Sequence, residues 1–311
     1  MTWCRRTRAR IGVDVGHHAV KAAQVSGDGR TLEAAVEIPL RQPGVFDERE
    51  ADRLASTLRR KDFAEAPVCV IAPAKATLAS VIELPPESPG VPVDMLASAE
   101  AARVHRLAPH SFELAYWRLP VSKRANRIPP ALTVVLPHEQ SHPLVDSLTR
   151  AGLDVDAVDV WVAAAARICR RLMPPAPALT LILDIGASAS RIALTCGDWV
   201  LAMREIPEAA LSRDLPAGQV PAVIDTVAAE LNSSLAYAQQ QFPDHAVEQL
   251  LVVGHGASAP GVMESLAEGF AIPVIRATPQ SLIAADPEAS EAQASPAFTL
   301  AIGAARFGEA A

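Results

Sequence analysis

Two short turns carry the residues whose types could do chemistry. "IGVDVGHHAV", residues 11–20, places Asp14 two positions before Gly16, and "LILDIGASAS", residues 181–190, places Asp184 two positions before Gly186. A tight turn offers backbone N–H groups that can hold phosphate oxygens. A carboxylate beside a phosphate is sensible only with a divalent cation between them, usually Mg²⁺ through water. Asp14 and Asp184 are therefore candidates to face a metal, and Gly16 and Gly186 to cradle phosphate, with His17, His18 and Ser188 in the same turns. A single Asp-x-Gly would read as a turn cap.

The flanks of the two turns match, and this argues against two independent caps. Thirteen residues after each aspartate comes Gly-Asp, at Gly27 and Gly197, and each copy closes on Glu-Ile-Pro, at Pro39 and Pro207. Each copy reads as three strands joined by glycine-containing turns. A helical stretch follows each, at residues 48–63 and 220–242. Such a duplication predicts two halves that bring both turns to one cleft. A third glycine turn, Gly254-His255-Gly256-Ala257, stands between a strand at 250–253 and a helix, a common place for a nucleotide.

Composition bounds the function. The chain has 311 residues, half of them apolar and a fifth charged, which describes a globular protein. A net charge of −7 argues against nucleic acid as the main partner. The exception is "CRRTRAR", residues 4–10, which reads as a solvated basic tail or a weak contact with an anionic membrane surface. No apolar stretch resembles a signal peptide or approaches the roughly 18 residues of a membrane span, so the expectation is a cytoplasmic chain. The four cysteines lack metal-ligand spacing, and three of them lie in apolar contexts.

"HEQSH", residues 138–142, fits the His-Glu-x-x-His pattern of zinc peptidases. Pro143 follows at once and Pro137 precedes it, so the motif reads as polar residues at a helix start rather than a metal site.

The order Asp14-x-Gly16, Asp184-x-Gly186, then strand–Gly254-x-Gly256–helix resembles that of the actin-like ATPase superfamily. Within it, "IGVDVGHHAVKA", "IELPPESP", "TRAGLDVDAVDVWVAAAAR", "LILDIGASASRIAL" and "FTLAIGAARFG" resemble the PilM-like type IV pilus assembly proteins of the PilM and FtsA branch. The resemblance implies an α/β actin-like ATPase fold: duplicated RNase H-like halves around a nucleotide cleft, with an inserted subdomain. The first half would be residues 11–76 and 156–172, the insert 77–155 and the second half 178–311, after a basic tail at 1–10. It also implies ATP with Mg²⁺ as cofactor. Lys21 would touch phosphate, Gly254, Gly256 and Ala257 would form the adenosine loop, and Glu230 would contact the nucleoside. The implied partner is a PilN-like bitopic inner-membrane protein, captured through its cytoplasmic N-terminal peptide in a groove between frame and insert. Other pilus assembly components, peripheral membrane attachment through partners, and self-association are further implications.

The chain also departs from that family. His17 and His18 stand where serines are usual, and His255 interrupts a glycine run. Glu208-Ala209 replaces glycines, and Ser233 replaces a frequently basic residue. Alanines after Asp159 offer no side chain to orient water. At most a weak ATPase is expected. A nucleotide-free scaffold and a sugar or acetate-type kinase of the same superfamily are the alternatives.

Overall fold

A computed structural model of the chain describes residues 10–61, 63–120, 130–197, 199–212 and 214–308. The basic tail, apart from Arg10, lies outside them. In chain order the strands and α-helices begin with β1 (Arg10–Val15), β2 (Ala19–Val25), β3 (Thr31–Pro39), α1 (Glu48–Arg60), β4 (Val68–Ile71), β5 (Leu78–Glu83), α2 (Val93–His105) and β6 (Phe112–Arg118). There follow β7 (Pro130–Pro137), α3 (His138–Arg150), β8 (Val155–Asp159), α4 (Trp161–Cys169), β9 (Leu179–Ile185), β10 (Ser190–Cys196) and β11 (Trp199–Ile206). The chain continues with α5 (Val220–Gln241), β12 (Val247–Val253), α6 (Val262–Gly269), β13 (Val274–Arg276), α7 (Pro279–Leu282), β14 (Ala284–Ala285), α8 (Ser290–Ala294) and α9 (Thr299–Ala305).

The duplication is visible in the strand order. One sheet runs β14-β3-β2-β1-β4-β8 and the other β11-β10-β9-β12-β13. In each, a three-strand antiparallel meander meets a parallel strand beside its first member. The central strand β9 is buried along its whole length, including its two polar residues, Thr180 and Asp184.

The insert forms a third sheet, β5-β7-β6, with α2 packed on it. α3 behaves differently: its Leu144 and Leu148 pack with Leu54 and Leu58 of α1, in the core of the first half. The insert also touches the second half. Leu119 and Leu132 join the main core beside Ile192 and Leu194, and Trp117 Nε1 donates to Val200 O at 2.6 Å.

The end of the chain returns to the first sheet. β14 pairs with β3, and α9 is buried at every residue. Two glycines make that position possible. A Cβ on Gly12 of β1 would land inside the backbone of Ala301 and Ala305, and one on Gly303 would land inside the carbonyl of Ala164 on α4. Two arginines close this end: Arg167 donates to Gly303 O at 2.6 Å and Arg10 to Phe307 O. They are held by Asp159 at 2.9 Å and Asp156 at 2.7 Å, and both guanidinium groups lie over the Phe307 ring.

A side chain between α9 and α4 has nowhere to go, because both neighbours are backbone. Gly303→Ala is therefore expected to lower stability by about 2–3 kcal/mol, the upper part of the range for overpacking. Chemical denaturation checks this, and a change within about 0.5 kcal/mol, the scale of an inert surface change, would contradict the close approach.

Candidate functional site

The two Asp-x-Gly turns are built alike. Gly16 N–H donates to Ala19 O at 3.0 Å, and Gly186 N–H donates to Ala189 O at 3.1 Å. Both glycines are forced: a Cβ would sit 2.9 Å from Ala19 O in one turn and 2.6 Å from Ala189 O in the other. Both turns open into one cavity of about 840 Å³, lined by Asp14, Gly16, His17, His18, Lys21, Asp184, Gly186, Ser188, Gly254 and His255.

The match extends across the strands. In the first sheet Asp14 pairs in register with Lys21, and Lys21 with Glu37. In the second, Asp184 pairs with Arg191, and Arg191 with Glu205. Each half thus presents an acid–base–acid row, and all six residues line the cavity. Lys21 Nζ lies 3.6 Å from Asp14 Oδ2. Arg191 forms an ion pair with Asp184 and lies 5.1 Å from the ring centre of Trp161. Arg191, Glu37 and Glu205 are not picked out by motif reading. The signal for them was in the repeat: a basic residue seven positions after each aspartate, and the glutamate of each Glu-Ile-Pro.

Asp184 is 2% exposed. The third turn seals it, since a Cβ on Gly254 (φ +83°) would overlap Asp184 Oδ1. Only Gly254 and His255 of that turn reach the cavity. Gly256 is pressed against Ile185, and Ala257 is fully buried. Glu230 lies outside the cavity as well, on α5, in an ion pair with Arg204 of β11.

The histidines are engaged rather than loose. His17 packs against Gly44 and edge-on to His18, with ring centres 4.8 Å apart. His18 Nε2 is 3.1 Å from Ser212 Oγ. His255 Nε2 is 2.6 Å from Leu211 O, a carbonyl, so that nitrogen carries the proton.

A divalent cation can be tested against these groups. Each aspartate already faces a cation from its own hairpin, so direct coordination would displace Lys21 or Arg191. Asp184 Oδ2 is the oxygen that faces Arg191, so a cation there would compete with that ion pair. The lining holds Asp14, Glu37, Asp47, Glu48, Asp184 and Glu205 against Lys21, Lys75 and Arg191. A polyphosphate entering this acidic cavity would need a cation with it. The residues fit Mg²⁺ carried in on phosphate and held through water, rather than a metal bound by side chains alone. Among the described residues no three His, Cys, Asp or Glu side chains are grouped to hold a metal.

This includes "HEQSH". The motif opens α3, as its flanking prolines suggest, and the helix runs on through Pro143. His138 and His142 stack face to face, 14° from parallel, and His138 pairs with Glu113. Parallel rings cannot aim their in-plane lone pairs at a shared ion.

No protein-family model and no curated protein matches the sequence. Solved structures do match the fold. A chain of a PilM–PilN type IV pilus biogenesis complex is 22% identical, with 97% of this chain and 99% of that one covered and a TM-score of 0.78. The ethanolamine utilization protein EutJ from Carboxydothermus hydrogenoformans is 13% identical over 96% and 90%, with a TM-score of 0.51. An inorganic polyphosphate/ATP-glucomannokinase from Arthrobacter sp. strain KM is 14% identical over 96% of both chains, with a TM-score of 0.50. The chain has the actin-like ATPase fold. In actin-like terms the shared cavity is the cleft between the halves, and the fold is one associated with nucleotides in general.

Titration of the first turn follows from its surroundings. Burial, then the charges of His18 and Lys75, lower the pKa of His17 below its ordinary value of 6.5, and burial does the same for His105. The unfolded chain then binds protons more readily than the folded one. Their stabilising effect is complete above about pH 6.5 and is lost as pH falls through the lowered folded values. The thermal midpoint should drop between pH 7.5 and 5.5, and His17→Ser should remove part of that drop. An unchanged slope in this variant would show that His17 titrates as it does in the unfolded chain.

Proposed function

We propose that this chain is a PilM-like scaffold of a type IV pilus or related secretion or competence assembly. It binds ATP with Mg²⁺ in the cleft and docks the cytoplasmic N-terminal peptide of a PilN-like inner-membrane protein. The observation that carries this reading is the TM-score of 0.78 to a PilM–PilN chain over nearly the whole length of both, against about 0.5 for other chains of the same fold. No helix among the described residues is long and apolar enough to cross a membrane, so attachment to the inner membrane would come through the partner.

The nucleotide would use the residues that share the cavity. Lys21 would meet phosphate beside the Gly16 turn, the Gly186 turn and Ser188 would face it from the other half, and Gly254 would border the base end. Bound Mg²⁺ would offset phosphate charge against Asp14 and Asp184. Hydrolysis is not supported by the lining, since α4 contributes no side chain to it. The acidic lining and the engaged histidines favour a second reading, a scaffold that keeps the fold without nucleotide.

The peptide groove would be the arm of the same cavity that continues past Gly44. Phe46, Asp47 and Glu48 line it from the first half, and Gln140, Pro143, Leu144 and Ser147 from α3. Apolar walls with an acidic rim suit a short peptide bearing apolar anchors and basic residues.

Two measurements test the two halves of the proposal. Phe46→Ala is expected to weaken capture of a PilN-like N-terminal peptide about tenfold, the scale of one apolar anchor, with the circular dichroism spectrum unchanged. Undiminished capture would place the peptide elsewhere. In titration calorimetry, ATP should bind only with Mg²⁺ present, and Lys21→Ala should weaken it by about 1–3 kcal/mol, the scale of a charge-assisted contact. Equal binding with and without Mg²⁺ would remove the cation from the site.

A further inference from the structure

Residues 209–212, which follow β11, are knitted into the second half. Ser190 Oγ donates to Ala209 O at 2.6 Å, Leu211 N–H donates to Gly186 O at 2.9 Å, and His255 holds Leu211 O. The segment is therefore anchored to the second turn through Gly186 and to the third through His255, and it moves with them. His18 belongs to the first half. Its turn is equally anchored there: Leu40 N–H donates to His18 O at 2.8 Å and Gly44 N–H to His17 O at 2.7 Å. The contact of His18 Nε2 with Ser212 Oγ thus joins anchored turns of the two halves rather than a loose flap to a wall.

We infer that His18 and Ser212 form a latch that holds the cleft of this chain shut with nothing bound. A second contact reaches the same half from the insert: Trp117 donates to Val200 O near the start of β11, an edge strand of its sheet. Separating the halves must break the bond of His18 to Ser212. A ligand entering between the turns competes with it for the His18 imidazole, which lines the cavity. Only this last consequence rests on the nucleotide reading; the closure itself does not.

Hydrogen exchange on the intact, ligand-free chain tests the latch. Ser212→Ala and His18→Ser should each speed amide exchange in residues 14–20 and 184–190 by up to about tenfold, the size of one hydrogen bond. Ser212→Thr keeps the hydroxyl and should leave exchange as in the parent. No acceleration in either deletion variant would overturn the latch. Acceleration spread equally over β12 and the other central strands would also overturn it, because that pattern marks general destabilisation. Calorimetry with Mg-ATP on the same variants separates the two ideas. Absence of heat from all of them would remove the nucleotide reading, while accelerated exchange confined to the turns would leave the latch standing.

Discussion

The structure depends on one close approach, in which α9 lies against β1 and α4 with backbone touching backbone. Gly12 and Gly303 are where this happens, and no side chain fits at either. Apolar packing alone would hold two helices and a sheet at 8–10 Å separations set by side chains. Removing the side chains draws α9 in, and α9 is the piece of second-half chain that completes the first half. The main core consequently runs without a break from Ala23 and Leu32 to Leu251 and Val252. The way the two halves are joined follows from that contact. The arginines that finish the helix serve the same end. Arg10 and Arg167 satisfy carbonyls at residues 307 and 303 that α9 itself cannot, and each is neutralised by an aspartate of the first half.

Within that frame the cleft is an electrostatic object with two near-equivalent walls. Asp14, Lys21 and Glu37 face it from one sheet, and Asp184, Arg191 and Glu205 from the other. The equivalence is incomplete in a way that has physical consequences. Asp14 and Lys21 keep some exposure, whereas Asp184 is sealed by the Gly254 turn, and its arginine is braced on Trp161. A lysine is a mobile point charge and an arginine a planar, stacked one. The first wall can therefore rearrange around a ligand, and the second acts as a fixed reference.

Much of this was legible in the sequence because a repeat supplies its own control. The matched Asp-x-Gly, Gly-Asp and Glu-Ile-Pro landmarks marked the ends of the strands in both meanders, and the helices after them begin at Glu48 and Val220 as expected. Single motifs carried less. The third glycine turn reads as an adenosine loop of Gly254, Gly256 and Ala257, but Gly256 is pressed against Ile185 and Ala257 is fully buried, which only the fold reveals. Glu230 is drawn away by Arg204, a partner on another element that local spacing could not indicate. The prolines around residues 138–142 read as a helix start, and α3 begins there. The histidines read as departures from the family in the glycine turns. Their partners, Ser212 and the Leu211 carbonyl, lie too far along the chain for any pattern to link them.

The order in which the chain is made gives the α9 contact another meaning. Synthesis delivers β1, β2 and β4 long before Thr299, so the face of the first sheet that α9 covers stays bare while the insert and the second half are produced. Ala23 and Cys69, which pair in register with Gly12 and share a core with α9 in the finished protein, lie on that face, and Gly12 faces the place of a helix not yet made. A two-domain chain would ordinarily mature from its N-terminus, one domain after another. Here the earlier half waits for the later one, and a ribosome stalled before residue 299 would hold out an exposed apolar sheet. For such a chain, the interval between the first strand and the last helix is a period of dependence on chaperones.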